Sequence, residues 1–169
     1  MNPSPLTIAT ADYTPAKVYC GLRDQTLRLA DARKAAGPGG AIAALMETGY
    51  EQAVATLVAI DDGTTSLYLS NGGGIIGAGS HQPVVAAASA FLQAASRNIS
   101  LMQPTTSYPL PRPRHTRFYV LSTDGSWTAE ALEDDLGNNR LPLSPLFHLA
   151  HAVIAAVRRY SRYSPPSGA

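Results

Sequence analysis

Residues 54–60, VATLVAI, are apolar at odd and even positions alike, the pattern of a strand covered on two faces. DDG at 61–63 follows, with a glycine suited to the positive φ of a tight turn. TTSLYLS at 64–70 then alternates, with Leu67 and Leu69 on one face and Ser66, Tyr68 and Ser70 on the other. These pieces predict a β-hairpin. FYVLST at 118–123, the DG turn at 124–125 and SWTAEALED at 126–134 predict a second. Between them the period changes. In residues 81–99 Val84, Ala88, Phe91 and Ala95 fall on one helical stripe, and Ala86, Ala87, Ala90 and Ala94 form the other face. From His81 to Ser96 there is no Asp, Glu, Lys or Arg, as expected of a helix buried all round. Residues 146–163 repeat the helical pattern through Leu146, Ala150, Val153, Val157 and Tyr160, with Ser144 as a cap and Pro145 at the first position.

The flanking pattern is weaker. Leu22, Leu27, Ala30 and Ala35 suggest a leading helix over 22–36, stopped by GPGG at 37–40. A short helix is expected over 41–47, ended at Gly49. Residues 1–21 read as an extended N-terminal segment, 22–163 as a single domain and 164–169 as a frayed, disordered tail. The prolines of residues 100–116 make that stretch a connector. Hairpin–helix thus occurs twice after a leading helix. The expectation is an α/β fold of the α+β type: a central antiparallel sheet from two β-hairpins, covered by helices on both faces. The uncharged helix is expected on one side, with the first and last helices on the other.

In this order of elements the chain resembles the roadblock/LC7 family, and more loosely the profilin and longin folds. The resemblance rests on VATLVAIDDGTTSLYLSNGGG, the alanine-rich helix after it, FYVLSTDGSW and the last helix, and it spans about residues 22–160. It implies a three-layer sandwich acting as a small homodimeric platform for other proteins, often small GTPases, without catalysis. The glycine run is richer, and the proline connector longer, than that family's pattern.

Composition narrows the field. Apolar residues make up 45% of the 169 and support a real core, while charged residues are only 15%, against about 25% in an ordinary soluble domain. So little charge implies surface hidden in a core or against a partner. A net charge of +1 gives no global field for nucleic acid or an anionic membrane. The one cysteine, Cys20, excludes an intrachain disulfide and a cysteine-based zinc site, and is read as a small semi-buried residue. No run reaches the ~18 apolar residues of a membrane helix, and the first residues lack the pattern of a secretory signal. A cytoplasmic protein is expected.

Candidate chemistry is sparse. SNGGGIIGAGSHQP at 70–83 offers Gly72, Gly73, Gly74 and Gly77 before a helix, where backbone N–H groups attract anions. It lacks the lysine of a P-loop and the distant acid of a dinucleotide site. Its other reading is a backbone that bends, or that lets a neighbour approach. Ser80 and His81 could pair as nucleophile and base, but adjacency favours capping. RPRHTR at 112–117 offers Arg112, Arg114 and Arg117 to a phosphate or an acidic partner, or is a solvated connector. His148 and His151 are spaced to share a metal but bring no further ligand motif. EDD at 133–135, with Asp61 and Asp62, supplies carboxylates at turns. No catalytic residue, metal site or cofactor is assigned.

The expected function is therefore a non-enzymatic homodimeric interaction or regulatory module, with Ala86, Ala87, Ala90 and Ala94 buried between two copies of the helix over 83–97. The alternative is a small-molecule or nucleotide binder, with hydrolysis as a further option, using glycines 72–79 and the basic loop 112–117.

Overall fold

The computed structural model of the chain describes residues 13–33 and 40–163. The fold is mixed α/β. Its strands are β1 (Ala41–Gly49), β2 (Val54–Ile60), β3 (Thr65–Leu69), β4 (Gly74–Ile75), β5 (Gln103–Pro104), β6 (His115–Ser122) and β7 (Gly125–Leu132). They form one seven-stranded sheet in the order β4-β3-β2-β1-β6-β7-β5, antiparallel throughout. The helices among the described residues are α1 (Lys17–Leu27), α2 (Leu29–Arg33), α3 (Gln82–Arg97), α4 (Glu133–Gly137) and α5 (Ser144–Tyr163).

The centre of the sheet is the segment expected to be a short helix. Residues 41–47 belong to β1, which pairs with β2 from Ala43↔Ile60 to Gly49↔Val54 and with β6 from Ala41↔Ser122 to Thr48↔Thr116. Alanine, leucine and methionine are good helix formers, but a weak local preference yields to two flanking strands. Burial of every residue from Ile42 to Gly49 reflects cover on both faces. The sheet thus has a strand before β2 that the sequence pattern did not predict.

The strand period of two divides the core. Ala44 and Met46 join Leu57, Phe118 and Val120 in one cluster with Val84, Phe91, Leu146 and Val153 of α3 and α5. Ala43 and Leu45 join Val58, Tyr68, Tyr119 and Leu121 in the other, with Tyr19 and Leu27 of α1 and Ala30 of α2. The last helix therefore shares a face with α3, not with the leading helix as expected. Two apolar stripes side by side cover one broad face of the sheet. On the other face Tyr108 and Leu110 of the proline-rich connector supplement α1 and α2.

A buried ion pair ties α1 to the sheet. Arg23 donates to Glu47 through Nε at 2.7 Å and through its terminal nitrogen at 2.9 Å, and it also donates to the Tyr108 carbonyl at 2.8 Å. Glu47 is fully buried. Thr56 donates to it at 3.2 Å and is itself hydrogen-bonded to the Tyr19 hydroxyl at 2.8 Å. Burial opposes the guanidinium charge, but the hydrogen bonds and charge of Glu47 outweigh this and raise the Arg23 pKa. The pair is paired, forked and hydrogen-bonded, the conditions under which buried charge is tolerated.

The leading helix starts at Lys17, not at 22, and is interrupted at Arg28, so residues 17–21 are helical rather than extended. Residues 1–12, 34–39 and the tail 164–169 lie outside the described residues, and with them the end of the expected leading helix and most of its GPGG stop. Cys20 is exposed rather than semi-buried, since it lies on the outward side of α1. No described helix is long and apolar enough to cross a membrane.

Candidate functional site

Three separate sequence motifs meet at one end of the sheet. The β6–β7 pairing runs from Ser122↔Gly125 to His115↔Leu132, so the residue before β6 arrives beside the residue after β7. There the Glu133 N–H donates to the Arg114 carbonyl at 2.9 Å, and the Arg114 N–H donates to the Gly49 carbonyl at 2.8 Å. Arg114 takes a left-handed φ of 65° to make this turn. Helix α4 follows at once, and α5 packs beside it. The basic loop, the acidic triplet and the second histidine of HLAH thus enclose a cleft of about 640 Å³, whose walls include Arg114, Leu132, Glu133, Phe147 and His151.

The charges in this cleft are unevenly satisfied. Arg140 pairs with Asp134 at 3.3 Å and with Asp135 at 3.1 Å. Asn138 donates to the Asp134 carboxylate at 3.1 Å. The side chains of Arg114 and Glu133 take part in no hydrogen bond or ion pair among the described residues. Partial burial, and secondarily the charge of Asp134, raises the Glu133 pKa. His151 lies against the Phe147 ring at 4.3 Å, and its Nε2 is buried without a partner. Burial first, then the charges of His148 and Arg158, lowers its pKa and favours the neutral ring. His148 instead contacts Asn139 Oδ1 at 2.9 Å, so the two histidines of HLAH serve different neighbours. No group of three or more His, Cys, Asp or Glu among the described residues is placed to hold a metal ion.

The glycine run and the basic loop do not share a cleft. Gly72 and Gly77 have positive φ, and Gly74 pairs with Tyr68 as part of β4. Gly79 packs so tightly on the Gly63 backbone that a Cβ there would overlap the Gly63 carbonyl. Gly79 thus closes the chain onto the turn of the β2–β3 hairpin, while Gly74 lies against Leu67 and Tyr68 of β3. Gly72, Gly73 and Gly74 line a small cleft of about 100 Å³ whose other walls are apolar, among them Val18, Leu22 and Ile76. Arg112 and Arg117 both bind Glu130, at 3.2 and 2.6 Å, which leaves Arg114 as the one guanidinium of the loop without such a partner. Ser80 is exposed at the end of a 3-10 turn. His81 begins α3 without making a side-chain cap; its ring stacks on Tyr160 at 3.5 Å instead.

The alanine face is partly outward. Ala86 and Ala90 are exposed, whereas Ala87 and Ala94 are half-buried against the core cluster that includes α5. The neighbouring α5 also presents Ala152 and Ala155 to the outside, and residues 146–157 carry no formal charge. The adjacency of α5 to α3 is not legible from the pattern of α3, because it depends on which face of the sheet the last helix takes. Comparison with protein-family models, with curated proteins and with solved structures finds no match to this chain.

Proposed function

We propose that the protein is a non-enzymatic interaction module, a roadblock-like three-layer sandwich that pairs with a second copy through the outer surface of α3 and α5. The observation that carries this reading is the absence of formal charge over residues 81–96 and 146–157, on two helices of one layer. An outward face without charge gives water little to hold, and small side chains let a facing helix approach to about 8 Å. Ala86 and Ala90 then lie at the centre of a two-fold contact. A protein partner, a small GTPase by analogy of fold, would use the surface left free. A cytoplasmic setting suits this role.

Light scattering on the eluting protein tests the proposal. A species of twice the 17.8 kDa chain mass is expected at micromolar concentration. Ala90→Glu should return it to monomer without lowering its thermal stability, because Ala90 is exposed within one chain. A monomer at every concentration would refute the reading. A second reading, a small-molecule binder, draws support from the cleft at Arg114, Glu133 and His151 and not from the glycine run.

A further inference from the structure

We propose that the cleft between β6, β7, α4 and α5 binds a small zwitterion, a free α-amino acid, with its carboxylate on Arg114 and its ammonium group on Glu133. This deepens the second reading above and is independent of self-association. Asp134 and Asp135 are taken up by Arg140. One guanidinium and one carboxyl remain unpaired on opposite sides of a short backbone link, where the Glu133 N–H meets the Arg114 carbonyl. A ligand of one positive and one negative group satisfies both and leaves the net charge of the site unchanged. A phosphate ester fits less well, because it would bring a dianion to a site with three consecutive carboxylates and one free guanidinium.

Size and polarity agree. The cleft, at about 640 Å³, lies within the usual range of small-ligand sites. Phe147 and Leu132 give it an apolar wall, and Leu132 is 41% exposed. The buried Nε2 of His151, on the same wall as Phe147, lacks a hydrogen-bond partner in the protein. That nitrogen is closed off from solvent, so the ring of His151 contributes to the wall of the cleft while the polar contacts come from Arg114 and Glu133. An unpaired guanidinium and an unpaired carboxyl beside an apolar wall are the polar pair and the apolar surface that a small zwitterion uses.

Titration calorimetry on the full chain decides the matter, with L-phenylalanine, L-phenylalaninamide, N-acetyl-L-phenylalanine and inorganic phosphate as probes. Saturable binding of L-phenylalanine with Kd at or below about 1 mM is expected. The amide, which lacks the carboxylate, and the N-acetyl form, which lacks the ammonium group, should each bind at least about tenfold more weakly. Arg114→Gln should remove the preference for the free acid over the amide, and Glu133→Gln the preference for the free amine over the N-acetyl form. No saturable heat with about 10 mM L-phenylalanine or L-leucine would overturn the proposal. So would equal binding of all three phenylalanine derivatives, or tighter binding of phosphate. The comparison of probes on the unaltered chain stands even if a variant fails to fold. Light scattering on the same samples shows whether any failure belongs to this site or to the dimer.

Discussion

Glu47 and Arg23 are fully or almost fully withdrawn from water, and each is the other's counter-charge. Removing one partner leaves the other as uncompensated buried charge, so Glu47→Ala should destabilise the fold by about 3–5 kcal/mol in denaturant melts. Replacing both, as Arg23→Met with Glu47→Leu, should be close to neutral. His151 is the opposite case. Its buried Nε2 makes no hydrogen bond within the protein, so His151→Leu should add about 1 kcal/mol of stability. The pH dependence follows from sign. The folded pKa of His151 lies below its unfolded value, so between the two the unfolded chain holds more proton. Stability attributable to this residue is full above about pH 6.5 and is lost as the pH falls below it. Thermal melts from pH 7.5 to 5 should show that slope, and the leucine variant should flatten it. Glu133 works in the reverse sense. Its raised pKa means the folded chain holds the proton more tightly, so Glu133→Gln should stabilise at neutral pH by no more than a few tenths of a kcal/mol after solvent screening, and the gain should fade in acid. A carboxyl that weakens its own fold at neutral pH is consistent with a role in binding.

At the scale of elements, the glycine run illustrates how packing decides between readings that a sequence leaves open. Gly79 lies against the Gly63 backbone, and Ala at 79 must displace one of the two chains. A loss of about 1–3 kcal/mol is expected for Gly79→Ala, measurable in urea, with no effect on amino-acid binding. Elements whose pattern was unambiguous were legible: the doubly apolar 54–60, the alternating 64–70, and the apolar stripes of α3 and α5. β1 was not, because AIAALME, Ile42 apart, consists of good helix formers and lacks the alternation that marks a half-buried strand. Its neighbours β2 and β6 define it, and one of them lies more than sixty residues away in the chain. The Arg23–Glu47 pair was hidden for the same reason, since it exists only once Glu47 is in the central strand. The cleft was half legible. Its charged motifs stood out one by one, but their meeting depends on the register His115↔Leu132 and on the side of the sheet that α5 takes. Phe147 and Leu132 carried no sign of a site at all.

For the whole molecule, the low charge of the chain resolves into a particular layer. The face with α1 and α2 carries its charge on the outward side, as at Asp24 and Arg28, whereas α3 and α5 expose alanine, serine, glutamine, proline and His148 over most of their length and keep Arg97, Arg158 and Arg159 near their C-terminal ends. Self-association through that layer is the central claim, and cysteine cross-linking tests it most directly. In a Cys20→Ser background, oxidation of Ala86→Cys or Ala90→Cys should yield a disulfide-linked dimer, because paired helices bring equivalent positions near a two-fold axis within the 4.4–6.8 Å that a disulfide spans, roughly. Asp24→Cys, exposed on the opposite face, should remain monomeric under the same treatment. Cross-linking of Asp24→Cys alone, with both α3 variants staying monomeric, would contradict the account.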